Sequence, residues 1–252
     1  MGKTLSEQAP PVLEPGRCAL FLDYDGTLVD LAPTPGEAAA DDALRHLLAA
    51  LQARLEGALA IVTGRPVTDI DAFLAPLRLT VAGLHGLVRR HHDGTLTEAE
   101  LPPELLPPIR QALRGFAADH PGTLLEDKRL SLALHYRQAP QAEAAAIALA
   151  ERLVAAGGDR LRLQRGKMVV ELLPKGSDKG DAIRALLAEP GFARRQPVFI
   201  GDDVTDEAGF RSVNAMGGVS IRIGEGGASE ALHRLADVAA LRDWLSRALD
   251  AR

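Results

Sequence analysis

Two carboxylates one residue apart, Asp23 and Asp25, follow the apolar run Cys18-Ala19-Leu20-Phe21-Leu22 and precede Gly26-Thr27. Acids this close repel unless a cation or a proton lies between them. Three more polar patches recur along the chain: Thr63-Gly64-Arg65, Lys179-Gly180, and Gly201-Asp202-Asp203-Val204-Thr205-Asp206-Glu207. The five acids Asp23, Asp25, Asp202, Asp203 and Asp206 need a counter-charge if they meet. A hard divalent cation supplies it, and the lack of a Cys/His cluster favours Mg²⁺ over zinc. Thr63 brings a hydroxyl and backbone N–H groups, and Lys179 a positive charge. With the cation they would hold a phosphoryl group and neutralise its charge during transfer. In such a site Asp23 can accept the phosphoryl group, and Asp25 can give a proton to the leaving oxygen and later take one from water.

These residues must be carried to one place by the fold. The run 18–22 is short and unbroken, so it reads as a strand buried on both faces, and Gly26 permits a sharp exit. Leu44, Leu47, Leu48, Leu51 and Leu55 recur at helical spacing after Asp41, a capping residue. Strands at 58–62 and 79–82 flank a helix over 67–77, giving β-α-β-α-β, the order of a doubly wound parallel sheet. Asp93-Gly94 then signals a hairpin between 88–91 and 95–98, and Leu101-Pro102-Pro103 breaks the chain. An α-β-β-α-β-β stretch follows, with helices carrying Leu105 to Phe116 and spanning 141–156. Its strand 130–137 alternates apolar and polar residues, as in an antiparallel sheet with one wetter face. Parallel order resumes with a helix from Lys179, a strand at 198–200, a helix from Thr205 and a strand at 219–223. A helix from Ala228, a short strand near Asp237 and a closing helix holding Trp244 complete the chain. The expected architecture is α/β: a doubly wound parallel, Rossmann-like core formed by 1–103 and 174–252, with an inserted α+β cap at 104–173. In open α/β sheets ligands bind at the carboxyl ends of the strands, where the polar patches fall.

The 252 residues suffice for a sizeable core, and the net charge of −5 supplies no basic field for nucleic acid or an anionic membrane. No apolar stretch approaches the roughly 20 residues of a membrane span. The amino terminus, a Pro-containing lead-in through residue 16, has no apolar signal core, so a cytoplasmic location is expected. The single cysteine, Cys18, falls in a buried strand and reads as a small core residue. Nothing here sets oligomeric state; a monomer or a dimer is expected.

The ordered set of Asp-x-Asp-Gly-Thr, a Thr after the second strand, a Lys and a late acidic motif resembles the haloacid-dehalogenase superfamily of phosphatases. The resemblance implies an aspartyl-phosphate on Asp23, acid/base work by Asp25, and a phosphoryl grip by Thr63 and Lys179. It also implies Mg²⁺ on Asp23, on the backbone carbonyl of Asp25 and on an acid of the Asp202-Asp203 pair. Asp202 is expected to ligate directly, and Asp203 to act through water or to support the ligands from behind. Asp206 could cap the next helix or orient Lys179. Finer features are similar to the trehalose-6-phosphate phosphatase family: Ile61-Val62-Thr63-Gly64-Arg65, Gly83-Leu84-His85-Gly86, Glu126-x-Lys128, and Lys167-Met168-Val169-Val170-Glu171 leading to Asp178-Lys179-Gly180. By that resemblance Glu126, Lys128, Lys167 and Glu171 hydrogen-bond the sugar of trehalose 6-phosphate. Gly64, Arg65 and His85 contact substrate or dock the cap.

Blander roles stand beside these. Glu126 and Lys128 could form a solvated cross-strand pair, Lys167 a hairpin tip, Arg65 a cap on a carboxylate, His85 a structural histidine, and His91-His92 hairpin surface. The same chemistry could serve another sugar phosphate, such as sucrose phosphate or a hexose phosphate. A phospho-accepting receiver module also uses Asp, Thr and Lys, but needs neither a second acid nor a lid.

Overall fold

The protein is described from a computed structural model covering residues 9–31, 39–175, 178–225 and 227–250. The first residues of the lead-in lie outside this range. The chain forms two compact units: one runs through Thr97 and resumes at Asp178, and the other is Glu98–Ser177.

The first unit is built on an eight-stranded sheet. Its strands are β1 (Cys18–Leu22), β2 (Leu59–Val62), β3 (Thr80–Gly83), β4 (Val88–Arg90), β5 (Leu96–Glu98), β10 (Gln196–Gly201), β11 (Val219–Ile223) and β12 (His233–Leu235). They lie in the order β12-β11-β10-β1-β2-β3-β4-β5. From β12 through β3 all neighbours are parallel, and β4 turns antiparallel to β3. Every residue of β1, β2 and β3 is buried, as an unbroken apolar run in the middle of a parallel sheet requires. The hairpin read from Asp93-Gly94 thus adds an edge to the large sheet. Helix α1 (Asp42–Arg54) packs on α7 (Val238–Asp250), and α5 (Lys179–Leu187) on α6 (Glu207–Ala215). Helix α2 (Val67–Leu74) links β2 to β3. Asp41 caps α1 by accepting from Leu44 N at 2.7 Å, and Asp178 caps α5 by accepting from Asp181 N at 2.8 Å. Cys18 and Trp244 are core residues.

One expectation fails. Residues 228–232 are not helical, and the strand expected near Asp237 lies earlier, at His233–Leu235. The cause is a set of side-chain bonds that compete with helix. Glu207 accepts from Ser229 Oγ at 2.7 Å and from Glu230 N at 2.8 Å, and Asn214 donates to the Glu230 carbonyl at 2.6 Å.

The second unit holds α3 (Leu106–Asp119), β6 (Leu124–Asp127), β7 (Leu132–His135), α4 (Glu143–Gly157), β8 (Leu161–Gly166) and β9 (Val169–Pro174). Its sheet runs β6-β7-β9-β8, antiparallel throughout. Leu132, Leu134, Tyr136, Val170, Leu172 and Leu161 pack against Ile109, Leu113, Ala146 and Ala150 of the helices. The alternate positions of the same strands form the other face. Among the described residues no helix is long and apolar enough to cross a membrane.

Candidate active site

Parallel pairing of β10, β1 and β2 sets their carboxyl ends side by side. Each chemical patch leaves one of these ends: Asp23 follows β1, Thr63 follows β2, and Asp202 follows β10. Lys179 enters as the first residue of α5. A lysine there faces the unfavourable end of the helix dipole, and its side chain is almost wholly buried, so it requires carboxylates. Its Nζ donates to Asp23 Oδ1 at 2.8 Å and to Asp206 Oδ1 at 2.6 Å. Burial alone would lower the lysine's pKa, but Asp206 and Asp23 outweigh it and hold the ammonium charged. Asp23 is pushed well above the ordinary carboxylate range. Burial is the largest cause, followed by Lys179 pulling it down and by Asp206 and Asp202 pushing it up.

Asp206 is the organiser that the sequence left undecided. It has no exposed surface. One oxygen takes Lys179, and the other accepts from Asp202 N and Asp203 N, both at 3.0 Å. It therefore orients the lysine and shapes the turn after β10 at once. Gly201 is required for that approach, since a Cβ there would lie 2.2 Å from Asp206 Cγ. Asp203 turns aside: its carboxylate accepts from Val204 N at 2.5 Å and caps the short 3-10 turn Val204–Asp206. Asp202 turns toward Thr27, whose hydroxyl reaches its Oδ1 at 3.4 Å. Gly26 adopts φ +76°, and a Cβ there would lie 2.2 Å from Asp202 Oδ2. Glycine is thus needed on two counts, for backbone conformation and for space.

Carboxylate oxygens of Asp23, Asp202 and Asp206 come within 4.8 Å of one another. An all-oxygen donor set of this kind fits a hard divalent cation. Asp206 is already engaged by Lys179 and two backbone N–H groups.

Asp25 is held differently. Arg65 Nε donates to Asp25 Oδ2 at 2.5 Å and Nη2 to Oδ1 at 2.6 Å, a two-pronged grip on a partly buried carboxylate. The guanidinium lies 4.9 Å from the Phe73 ring centroid and 5.8 Å from that of Tyr24. Of the roles weighed for Arg65, the contact formed within this unit is the carboxylate one. Thr63 is buried, and its Oγ1 accepts from Arg65 N at 3.2 Å. His85 braces this turn: its N–H donates to the Thr63 carbonyl at 2.9 Å, and Leu84 N–H to the Arg65 carbonyl at 3.0 Å. Both residues have left-handed φ, 50° at Leu84 and 56° at His85. Such conformations cost about 1–3 kcal/mol each and are held only where surroundings impose them. The His85 ring lies over Gly64, where a Cβ would come within 2.6 Å of its Nε2.

On the second unit, β-sheet register sets Glu126 opposite Ala133, Ala133 opposite Glu171, and Glu171 opposite Gln164. This row lies on the face away from the helices. Lys128 Nζ donates to both Glu171 oxygens, at 3.3 and 3.2 Å, and Ser131 Oγ donates to Glu171 at 2.6 Å. Glu126 meets His135 Nε2 at 2.8 Å. Burial raises the Glu126 pKa, but His135 and Lys128 together leave it below the ordinary glutamate value. Lys167 is exposed between β8 and β9, its carbonyl accepting from Arg137 at 3.4 Å. Ser131 and His135 were missed in the sequence. Their only trace there was the polar phase of the alternating strand.

Residues 21–238 match the family model of trehalose-phosphatases. The chain belongs to the trehalose-phosphatase family. Similarity to other trehalose-phosphatases extends over nearly the whole chain. It is 43% identical over 227 residues to the trehalose-6-phosphate phosphatase of Escherichia coli K12, covering 90% of this chain and 85% of that one. It is 45% identical over 225 residues to a probable trehalose-phosphate phosphatase of Sinorhizobium fredii, covering 89% and 84%. The fold is also that of the C-terminal domain of the C. albicans trehalose-6-phosphate phosphatase, with a TM-score of 0.84 at 20% identity, covering 98% of this chain and all of that one.

Proposed function

We propose that this chain hydrolyses trehalose 6-phosphate to trehalose and phosphate through an aspartyl-phosphate on Asp23. The observation that carries this is Lys179 bridging Asp23 and Asp206 beside Asp202, in a chain of this family. A carboxylate nucleophile needs one oxygen fixed and the other presented to phosphorus. Lys179 fixes Oδ1 and supplies charge to the transferring group. Asp23 attacks phosphorus, the bond from phosphorus to the sugar oxygen breaks, and Asp25 gives that oxygen its proton. Water then attacks the acyl phosphate, Asp25 takes its proton, and the phosphorus–Asp23 bond breaks, restoring the carboxylate. Arg65 orients the Asp25 carboxyl group; Asp25 enters the first half as the acid and leaves it as the carboxylate that the second half uses. Thr63 and the N–H groups of its turn receive the phosphoryl oxygens. Asp23, Asp202 and the Asp25 carbonyl would hold Mg²⁺, with Asp203 acting through water; the ion would offset the negative charge gathered at phosphorus.

The second unit is read as the cap, with Glu126, Lys128, Glu171 and Lys167 as the sugar's hydrogen-bonding groups. Buried polar groups left unpaired by the wrong sugar would reject it. Gly64 and His85 would act at the substrate's phosphoryl end, and a cytoplasmic location is proposed. Phosphate release with Mg²⁺ from trehalose 6-phosphate, sucrose phosphate, glucose 6-phosphate and other hexose phosphates tests the proposal. Preference for trehalose 6-phosphate is expected, and preference for a monosaccharide phosphate would overturn the substrate assignment.

A further inference from the structure

Asp25 lies on a tight loop whose backbone is pinned by the last helix. Leu28 N and Val29 N donate to the Tyr24 carbonyl at 2.9 and 3.2 Å, and Gly26 N donates to Val29 O at 2.8 Å. Asp25 and Val29 form a bridge, so a shift at Leu28 is passed to Asp25 through two bonded neighbours. Leu28 itself has no exposed surface. Its carbonyl accepts from Arg242, at 3.3 Å from Nε and 3.0 Å from Nη2. Arg242 Nη1 also donates to Asp41 Oδ2 at 2.7 Å, while Asp41 Oδ1 caps α1. One guanidinium on α7 thus ties the loop carrying Asp25 to the start of α1. Arg242 lies more than 200 residues along the chain from each of the two segments it ties.

We infer that Arg242 is a positioning residue for the acid/base step: it fixes the backbone of the Asp25 loop, while Arg65 holds the side chain. This rests on the acid/base role proposed for Asp25. Arg242 bonds neither the phosphoryl grip nor the Asp23–Lys179–Asp206 cluster, so its loss should weaken Mg²⁺ binding at the Asp25 carbonyl at most and, once Mg²⁺ is saturating, harm proton delivery more than phosphoryl transfer to Asp23. Proton delivery matters for a sugar alkoxide and little for a leaving group that departs as a stable anion. The readout is therefore kcat/KM, which includes all steps through transfer to Asp23, measured with trehalose 6-phosphate and with p-nitrophenyl phosphate at saturating Mg²⁺.

For Arg242→Ala, kcat/KM for trehalose 6-phosphate should fall by about tenfold to a hundredfold, since a small misplacement of a catalytic group costs on this scale. The value for p-nitrophenyl phosphate should change by less than about threefold, and Arg242→Lys should recover part of the loss. Leu245→Ala, which opens a buried position on the same helix, controls for mere destabilisation. It should lower the unfolding temperature without a leaving-group-dependent loss. Asp25→Asn provides the reference. If it shows the leaving-group dependence and Arg242→Ala does not, the tether is refuted while the acid assignment stands. If Asp25→Asn itself loses both substrates equally in kcat/KM, the acid assignment fails and the inference with it.

Discussion

Asp206→Asn keeps the side chain's shape and removes one acceptor, which makes it a sharp probe of the site. The carboxylate serves Lys179 with one oxygen at 2.6 Å and two backbone N–H groups with the other, each at 3.0 Å. An amide has a single oxygen. Turned toward the backbone, it presents an N–H₂ to an ammonium; turned toward Lys179, it presents that N–H₂ to two N–H donors. Either way a buried charge-assisted bond is lost, worth about 1.5–3 kcal/mol, and a donor is left facing a donor. Lys179 keeps Asp23, so the total stays near the lower end of the ~3–5 kcal/mol seen when a buried ion pair is broken. At ~2–4 °C per kcal/mol for a chain of this size, the unfolding temperature should fall by about 6–12 °C. Activity should suffer as well, because Lys179 is no longer held between two carboxylates and swings toward Asp23; a loss in kcat of about a hundredfold is expected. Denaturant melts of the metal-free protein and phosphate release with Mg²⁺ measure the two effects. Wild-type stability, within about 1 kcal/mol, together with unchanged kcat would refute the account of Asp206 as the organiser of Lys179.

Three further outcomes follow from the geometry. Gly26→Ala forces a Cβ to within 2.2 Å of an Asp202 oxygen at φ +76°, so turnover should be abolished and Mg²⁺ affinity weakened; a variant with normal Mg²⁺ titration would contradict it. Glu171→Gln removes the carboxylate that accepts from Lys128 and Ser131, so KM for trehalose 6-phosphate should rise about tenfold or more while p-nitrophenyl phosphate turnover is spared. An equal effect on both substrates would remove Glu171 from sugar recognition. Glu126 has its pKa lowered in the folded state, so its contribution to stability is present above the unfolded value and lost as pH falls through the folded one. His135→Ala removes the hydrogen bond that lowers it and should move the acid-unfolding midpoint, followed by circular dichroism, to higher pH; an unshifted midpoint would sink the assignment.

Much of the site could be read from residue types because parallel sheets concentrate chemistry at strand ends. The unbroken run 18–22 reads as a doubly buried strand, and β1 is one, with Asp23 just past its carboxyl end. What the sequence withheld were pairings set by three-dimensional packing. Asp206 was open between capping the next helix and orienting Lys179 until the lysine's contact from the start of α5 was seen. Asp203 and Asp202 are chemically alike, and packing separates them: Asp203 caps the 204–206 turn, while Asp202 meets Thr27 and clusters with Asp23 and Asp206. The grip of Arg65 on Asp25 joins residues 40 apart. Residues 228–232 looked helical by composition, but Glu207, two dozen positions earlier, captures their polar groups. His135 was invisible because alternation assigns a side chain to a face and says nothing of its partner there.

The most direct test is to trap the phosphorylated enzyme. Quenching during turnover of trehalose 6-phosphate with Mg²⁺, followed by borohydride reduction and peptide mass spectrometry, should convert Asp23 alone to homoserine, and the signal should vanish in Asp23→Asn. Reduction at another carboxylate, or sustained turnover by Asp23→Asn without any acyl phosphate, would contradict the account.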